Sequence, residues 1–293
     1  MTERQLAGVL APITTPFDSA TGDVDPVHLR HNVSRLIAAG LDGVVVAGST
    51  GEAALLDPEE QRRMVGWVRA ALADQSWLVV GTGAESTRQA VGLTRAAAAE
   101  GADAVLVRPP GYFGAALAPV SLADYFRAAA DASPVPVLLY NVPKYTHLPL
   151  AAALLEQLGG HANIVGVKDS SGDPKNLAAY RDAVPAWSVF VGSGTLLYRA
   201  LELGCNGGIL AVACFAAALC AEIHTAFRNG DRARASRLQE RLGPLDREIV
   251  GKLGPPGVKA AMDAVGLYGG PVRAPLAPVP AAERERVTRL VAA

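Results

Sequence analysis

The run NIVGVKDSSGD (163–173) sets a lysine, Lys168, inside a stretch that otherwise reads as a buried strand. Side chains alternate along a strand, so Lys168 shares a face with Gly166 while Val165 and Val167 share the other. In the preceding strand-like run, VPVLLYN, Tyr140 shares a face with Leu138, and neighbouring parallel strands lie only about 4.8 Å apart. If both faces point inward, a lysine and a tyrosine meet among apolar walls. An ammonium stripped of water there has a depressed pKa, and the neutral amine it becomes is a nucleophile for a carbonyl. A strand-end lysine also fits two blander roles: pairing with Asp169, or snorkelling into solvent.

Two further stretches carry groups of the right kind. GSTGE (48–52) follows an apolar run directly and offers successive backbone N–H groups with the hydroxyls of Ser49 and Thr50, a set suited to holding a carboxylate. It equally fits an ordinary capped turn with Glu52 as a buttress. YNVP (140–143) is ambiguous by itself, because buried tyrosines with a satisfied hydroxyl are common in cores.

The elements that must position these groups are short β-branched runs alternating with Ala/Leu/Arg-rich helical patterns. The strand-like runs are GVLAPI from Gly8, DGVVVAG from Asp42, WLVVGTG from Trp77, ADAVLVRP from Ala102, VPVLLYN from Val135, NIVGVKD from Asn163, SVFVGSG from Ser188 and GGILAV from Gly207. Eight is the number at which a parallel sheet closes on itself, which predicts a (β/α)8 TIM barrel of the α/β class. Asp25-Pro26, Asp57-Pro58, Ser86, Ser121 and Asp173-Pro174 read as helix starts. Beyond the eighth strand, helical patterns run over roughly 214–229, 231–250, 255–265 and 280–292. Residues 1–213 are therefore expected to form the barrel core, and 214–293 its last helix and a C-terminal helical extension in the same structural unit. In such a barrel the active site lies at the C-terminal ends of the strands, where GSTGE, YNVP and VKDSSG all fall.

Bulk composition narrows the chemistry. With 293 residues, 50% hydrophobic and 19% charged, the chain can bury a large core. A net charge of -1 without a basic cluster predicts no nucleic-acid partner. No signal-peptide pattern and no apolar run of about eighteen residues is evident, so no membrane association and a cytoplasmic location are expected. Cys205, Cys214 and Cys220 read as buried thiols, and the five histidines lack metal spacing; no metal and no cofactor are expected. GTGAES (81–86) lacks the third glycine of a dinucleotide loop.

Taken together and in this order, GSTGE, YNVP and GVKDSSGD resemble the dihydrodipicolinate synthase / N-acetylneuraminate lyase family of class I, Schiff-base aldolases, over nearly the whole chain. The tail GVKAAMDAVGLYGGPVRAPL is most similar to the 4-hydroxy-2-oxoglutarate aldolase branch. The resemblance implies that Lys168 forms an imine with a 2-keto acid, typically pyruvate, and that Tyr140 shuttles protons. It assigns Ser49 and Thr50 to the proton relay and carboxylate pocket, and places Ser170 and Gly192 near the bound keto acid. Tyr112, in PPGYFG, matches a tyrosine lent to a neighbouring subunit, which implies a homotetramer or homodimer. One departure matters: Lys144 and Tyr145 follow YNVP where dihydrodipicolinate synthases carry a residue and then an arginine that binds the aldehyde's carboxylate. Arg108 could replace that charge or serve a subunit contact, while His147 reads as a loop residue.

The expected function is a cofactor-free, pyruvate-dependent aldolase or lyase acting on a small 2-keto acid and an aldehyde, with 4-hydroxy-2-oxoglutarate-type substrates. The alternatives are a dihydrodipicolinate (4-hydroxy-tetrahydrodipicolinate) synthase with another carboxylate anchor, a deoxy-keto sugar acid aldolase or dehydratase, and a non-catalytic keto-acid-binding regulator on the same barrel.

Overall fold

The computed structural model describes residues 5–292. All eight expected strands form: β1 (Gly8–Pro12), β2 (Gly43–Val46), β3 (Trp77–Gly81), β4 (Ala104–Val107), β5 (Val137–Asn141), β6 (Ile164–Asp169), β7 (Ser188–Val191) and β8 (Gly207–Ile209). They pair in parallel and in chain order, and β8 returns to β1, so the sheet is a closed barrel. Because both faces are covered, the strands are mostly apolar, yet alternation still divides them. Leu10, Val45, Val79, Leu106, Leu138, Phe190 and Ile209 fill the barrel interior. Val9, Val44, Val46, Val105, Leu139 and Val167 pack outward against the helices.

Helix starts follow the local chemistry. Asp25, Asp57, Ser86 and Asp173 each accept a hydrogen bond from a first-turn N–H, and Asp57 with Glu60 forms a full capping box. Ser121 does not cap its helix. That helix, Pro119–Ala132, begins two residues earlier with Pro119 at its first position, where the fixed φ and missing N–H of proline cost nothing.

The C-terminal region is helical, as expected, with an unexpected wide turn inside the second of its helices and a kink in the gap expected between 250 and 255. After the helices Ala217–Arg228 and Arg232–Leu245, residues Asp246–Gly251 widen into a π-helical turn, just after Pro244, which has no N–H to donate. The next helix, Lys252–Ala264, is kinked at Gly254 (φ 62°), and Ala281–Ala292 closes the chain. The Lys252–Ala264 segment packs on the turn Ser49–Gly51, bringing the extension over the C-terminal mouth of the barrel. Among the described residues no helix is long and apolar enough to cross a membrane.

Candidate active site

Tyr140 and Lys168 are direct register partners on β5 and β6. Both face the barrel interior and are buried, with 6% and 4% of their surface exposed, and Lys168 Nζ lies 4.2 Å from the centroid of the Tyr140 ring. Alternation sends Asp169 to the opposite face, where Asn141, Asn176 and Ser171 occupy its oxygens. Lys168 is thus neither paired with Asp169 nor snorkelling into solvent. Burial alone would raise the Tyr140 phenol, but the Lys168 charge and hydrogen bonding with Ser49, Ser170 and Lys168 outweigh it and lower its pKa.

These two side chains form the floor of a cavity of about 180 Å³, and Ser49, Thr50, Ser170 and Gly192 are in its wall. Ser49 and Thr50 come from the turn after β2, Ser170 from the end of β6 and Gly192 from the end of β7. Gly192 has a packing reason to be glycine: a Cβ there would collide with the Ser170 hydroxyl and crowd the Asp169 carbonyl. Its N–H instead donates to that carbonyl at 2.6 Å.

The turn bearing Ser49 and Thr50 is held from behind. Ala47 and Glu52, which flank it, both adopt the left-handed region (φ 54° and 58°), a conformation non-glycine residues hold only where surroundings dictate it. Glu52 meets Lys259 at 2.6 Å with both side chains fully buried, and its other oxygen accepts from the Arg273 N–H at 2.8 Å. Lys259 also donates to the Pro271 carbonyl at 2.6 Å. Burial lowers the Lys259 pKa and the Glu52 carboxylate offsets part of that. Glu52 is therefore the buttress of this loop, tying it to the C-terminal extension.

Other candidates lie outside the cavity. Tyr112 is 84% exposed and stacks edge-on against Phe113, itself 69% exposed. Arg108 donates to Glu85 at 2.9 Å, and the second Glu85 oxygen accepts the N–H groups of Gly111 and Tyr112, so Arg108 helps hold the loop that carries Tyr112. His147 ends a short helical turn in the left-handed region and faces solvent. The three cysteines are free and buried. Among the described residues no group of three or more His, Cys, Asp or Glu is placed to hold a metal.

Two wall residues were not singled out by sequence reasoning. Asp246 opens the π-helical turn, and Ser193 follows Gly192. Ser193 Oγ donates to Asp246 Oδ2 at 3.1 Å and lies 2.7 Å from Thr195 Oγ1. The only sequence signal was an acidic residue on the apolar side of LGPLDREIV. Lys144 and Tyr145 also line this outer half, and Lys144 Nζ donates to the Gly251 carbonyl at 3.3 Å.

A closed (β/α)8 barrel with a buried lysine and tyrosine at the C-terminal mouth has the architecture of a class I, lysine-dependent aldolase or lyase. The family assignment agrees: the model of the dihydrodipicolinate synthetase family matches residues 5–293, and the chain belongs to that family. A 4-hydroxy-tetrahydrodipicolinate synthase of Methanothrix thermoacetophila is 37% identical over 274 residues, covering 93% of this chain and 91% of the relative. A mitochondrial protein of Emericella nidulans, named as a probable 4-hydroxy-2-oxoglutarate aldolase, is 36% identical over 92% of this chain and 88% of its own length. Among solved structures, YagE, a prophage protein of the dihydrodipicolinic acid synthase family from E. coli K12 in complex with pyruvate, superposes with a TM-score of 0.93 at 28% identity. That superposition covers 99% of this chain and 98% of YagE.

Proposed function

We propose that Lys168 forms an imine with the ketone of pyruvate and that the enzyme makes or breaks the bond between C3 of that pyruvate and an aldehyde carbon. The observation that carries this reading is the buried stack of Lys168 on Tyr140 at the floor of a cavity walled by Ser49 and Thr50. The pyruvate bound to YagE supports the choice of keto acid.

The chemistry follows from the groups present. The unprotonated amine attacks C2, water leaves, and the cationic imine draws electrons from C3, so a C3 proton departs to give an enamine. The enamine attacks the aldehyde, whose oxygen takes up a proton, and hydrolysis returns the amine; cleavage runs the same steps backwards. Tyr140 is the proton carrier within reach of the nitrogen, and Ser49 and Thr50 receive the carboxylate.

For the acceptor, the balance of relatives lies with 4-hydroxy-tetrahydrodipicolinate synthases, which carry that name at 37%, 33% and 36% identity. Condensation with aspartate semialdehyde is therefore the first reading, with Lys144 as the cation in the outer half of the cavity in place of arginine. Tyr145 supports a second reading, cleavage of 4-hydroxy-2-oxoglutarate, since the bidentate arginine expected beside the aldehyde's carboxylate is missing. Comparing kcat/KM for the two reactions decides between them. A tenfold or greater preference for cleavage, about 1.4 kcal/mol of transition-state discrimination, moves the assignment to the second reading. Tyr145→Arg is expected to raise kcat/KM with aspartate semialdehyde.

A further inference from the structure

The outer half of the cavity has an apolar wall of Val142, Val250, Pro255 and Val258, with Lys144 and Tyr145 on the β5 side and a polar cluster on the β7 side. That cluster is Ser193 and Asp246, with Thr195 behind them. Asp246 is 6% exposed; its Oδ2 accepts from Ser193 Oγ at 3.1 Å and from the Thr195 N–H at 3.1 Å, and the Gly194 N–H also faces the carboxylate. The loop is pinned again by Gln239, whose Nε2 donates to the Gly194 carbonyl at 2.9 Å.

Hydrogen-bond counting gives this cluster a polarity. A serine hydroxyl has one proton to donate and two lone pairs to accept with. Ser193 spends its one proton inside the cluster, on Asp246 or on Thr195, so at least one lone pair of its oxygen is left to accept with. When ionised, the carboxyl behind it adds negative charge to this wall, while burial opposes that ionisation and raises the Asp246 pKa. A π-helical turn that carries a buried acid to a cavity wall is a costly arrangement of the kind that concentrates at functional sites.

We propose that Ser193, fixed by Asp246, is a specificity-determining residue that accepts a hydrogen bond from a donor group, an ammonium or a hydroxyl, borne on the acceptor chain beyond its aldehyde carbon. The inference rests on the aldolase reading for the identity of the acceptor. It excludes unsubstituted aliphatic aldehydes as preferred acceptors, because a chain without a donor leaves the Ser193 oxygen desolvated and unpaired.

The test compares aldehydes that differ only in the donor. Aspartate semialdehyde against succinate semialdehyde examines the ammonium, and glycolaldehyde against propanal the hydroxyl, each condensed with pyruvate. The unmodified protein is expected to favour the donor-bearing member of at least one pair tenfold or more in kcat/KM. Ser193→Ala should cut that ratio at least threefold, and Asp246→Asn, which keeps an oxygen to accept from Ser193 and Thr195 while removing the charge, should cut the ammonium ratio in the same sense. Taking ratios within each variant cancels the intrinsic reactivity of the aldehydes and any general loss of active protein. No preference in either pair, or a ratio that Ser193→Ala moves by less than threefold, overturns the proposal. Adduct formation between pyruvate and Lys168 is followed in parallel, since its absence from the unmodified protein would sink the aldolase reading rather than the role of Ser193. In that event calorimetric titration with 2,5-dihydroxypentanoate and 2-hydroxypentanoate, neither of which can form an imine, judges Ser193. Equal affinity for the two contradicts it, and a threefold or greater preference for the dihydroxy acid that Ser193→Ala removes supports it.

Discussion

At the residue scale, Lys168 and Tyr140 are buried register partners on neighbouring strands, and the Lys168 charge helps lower the Tyr140 pKa; the proposed function makes them nucleophile and proton carrier. Removing the phenol without changing the ring tests its share. Tyr140→Phe should lower kcat about a hundredfold or more, with the circular dichroism spectrum unchanged. Because the Tyr140 pKa is lowered by the Lys168 charge and its hydrogen bonds, the alkaline fall in kcat/KM should begin below the ordinary tyrosine value of about 10 and should be absent from the residual activity of Tyr140→Phe. Strand parity made this pair legible in the sequence, since a period of two fixes which side chains share a face. Asp246 was not legible. Its burial depends on a π-helical turn, and nothing in a 3.6-residue pattern announces where a helix will widen. The raised Asp246 pKa has a linkage consequence: ionising it in the fold costs stability that is intact below the unfolded value near 3.8 and lost as pH rises through the higher folded value. Thermal melts of Asp246→Asn against the unmodified protein should therefore diverge in favour of the variant as pH increases across that window.

At the element scale, the site is an assembly of strand ends held in place by loops that answer to one another. Gly192 lets the β7 end close on Ser170, and Glu52 ties the β2 turn to Lys259 in the C-terminal extension. A buried pair of this kind adds little net stability when intact, yet breaking one side leaves an uncompensated charge. Lys259→Met should destabilise the fold by about 3–5 kcal/mol in urea titrations, whereas pairing it with Glu52→Gln should recover much of the loss. If the single and double variants are equally destabilised, the ion pair is not what holds the turn. The strands and the four side-chain caps were legible because β-branched runs and Asp/Ser before a helix are local signals. The start at Pro119 and the widening at Asp246–Gly251 were not, since proline at the first helical position competes with a nearby serine cap, and a π-helical turn keeps its apolar pattern; the gap expected between 250 and 255 is where the helix kinks, at Gly254.

At the scale of the whole molecule, the closed barrel fixes the floor of the site, and the helices after β8 supply much of its outer wall, where the proposed function puts the acceptor. The number of strands could be counted in the sequence; the fold-back of the extension over the mouth could not, because it depends on contacts between segments some two hundred residues apart, such as Glu52 with Lys259. Tyr112 and Phe113 project from the barrel, exposed and apart from the cavity of their own chain. If Tyr112 serves a neighbouring subunit, light scattering should find an oligomer. Mixed oligomers of Lys168→Ala and Tyr112→Phe should then regain activity that neither variant has alone, since an intact Tyr112 meets an intact Lys168 across the interface. The central claim concerns one bond, and reduction traps it. Borohydride added with pyruvate should abolish activity and leave a single reduced pyruvyl group, which peptide mass spectrometry finds on Lys168; an adduct on another lysine, or none, contradicts the account.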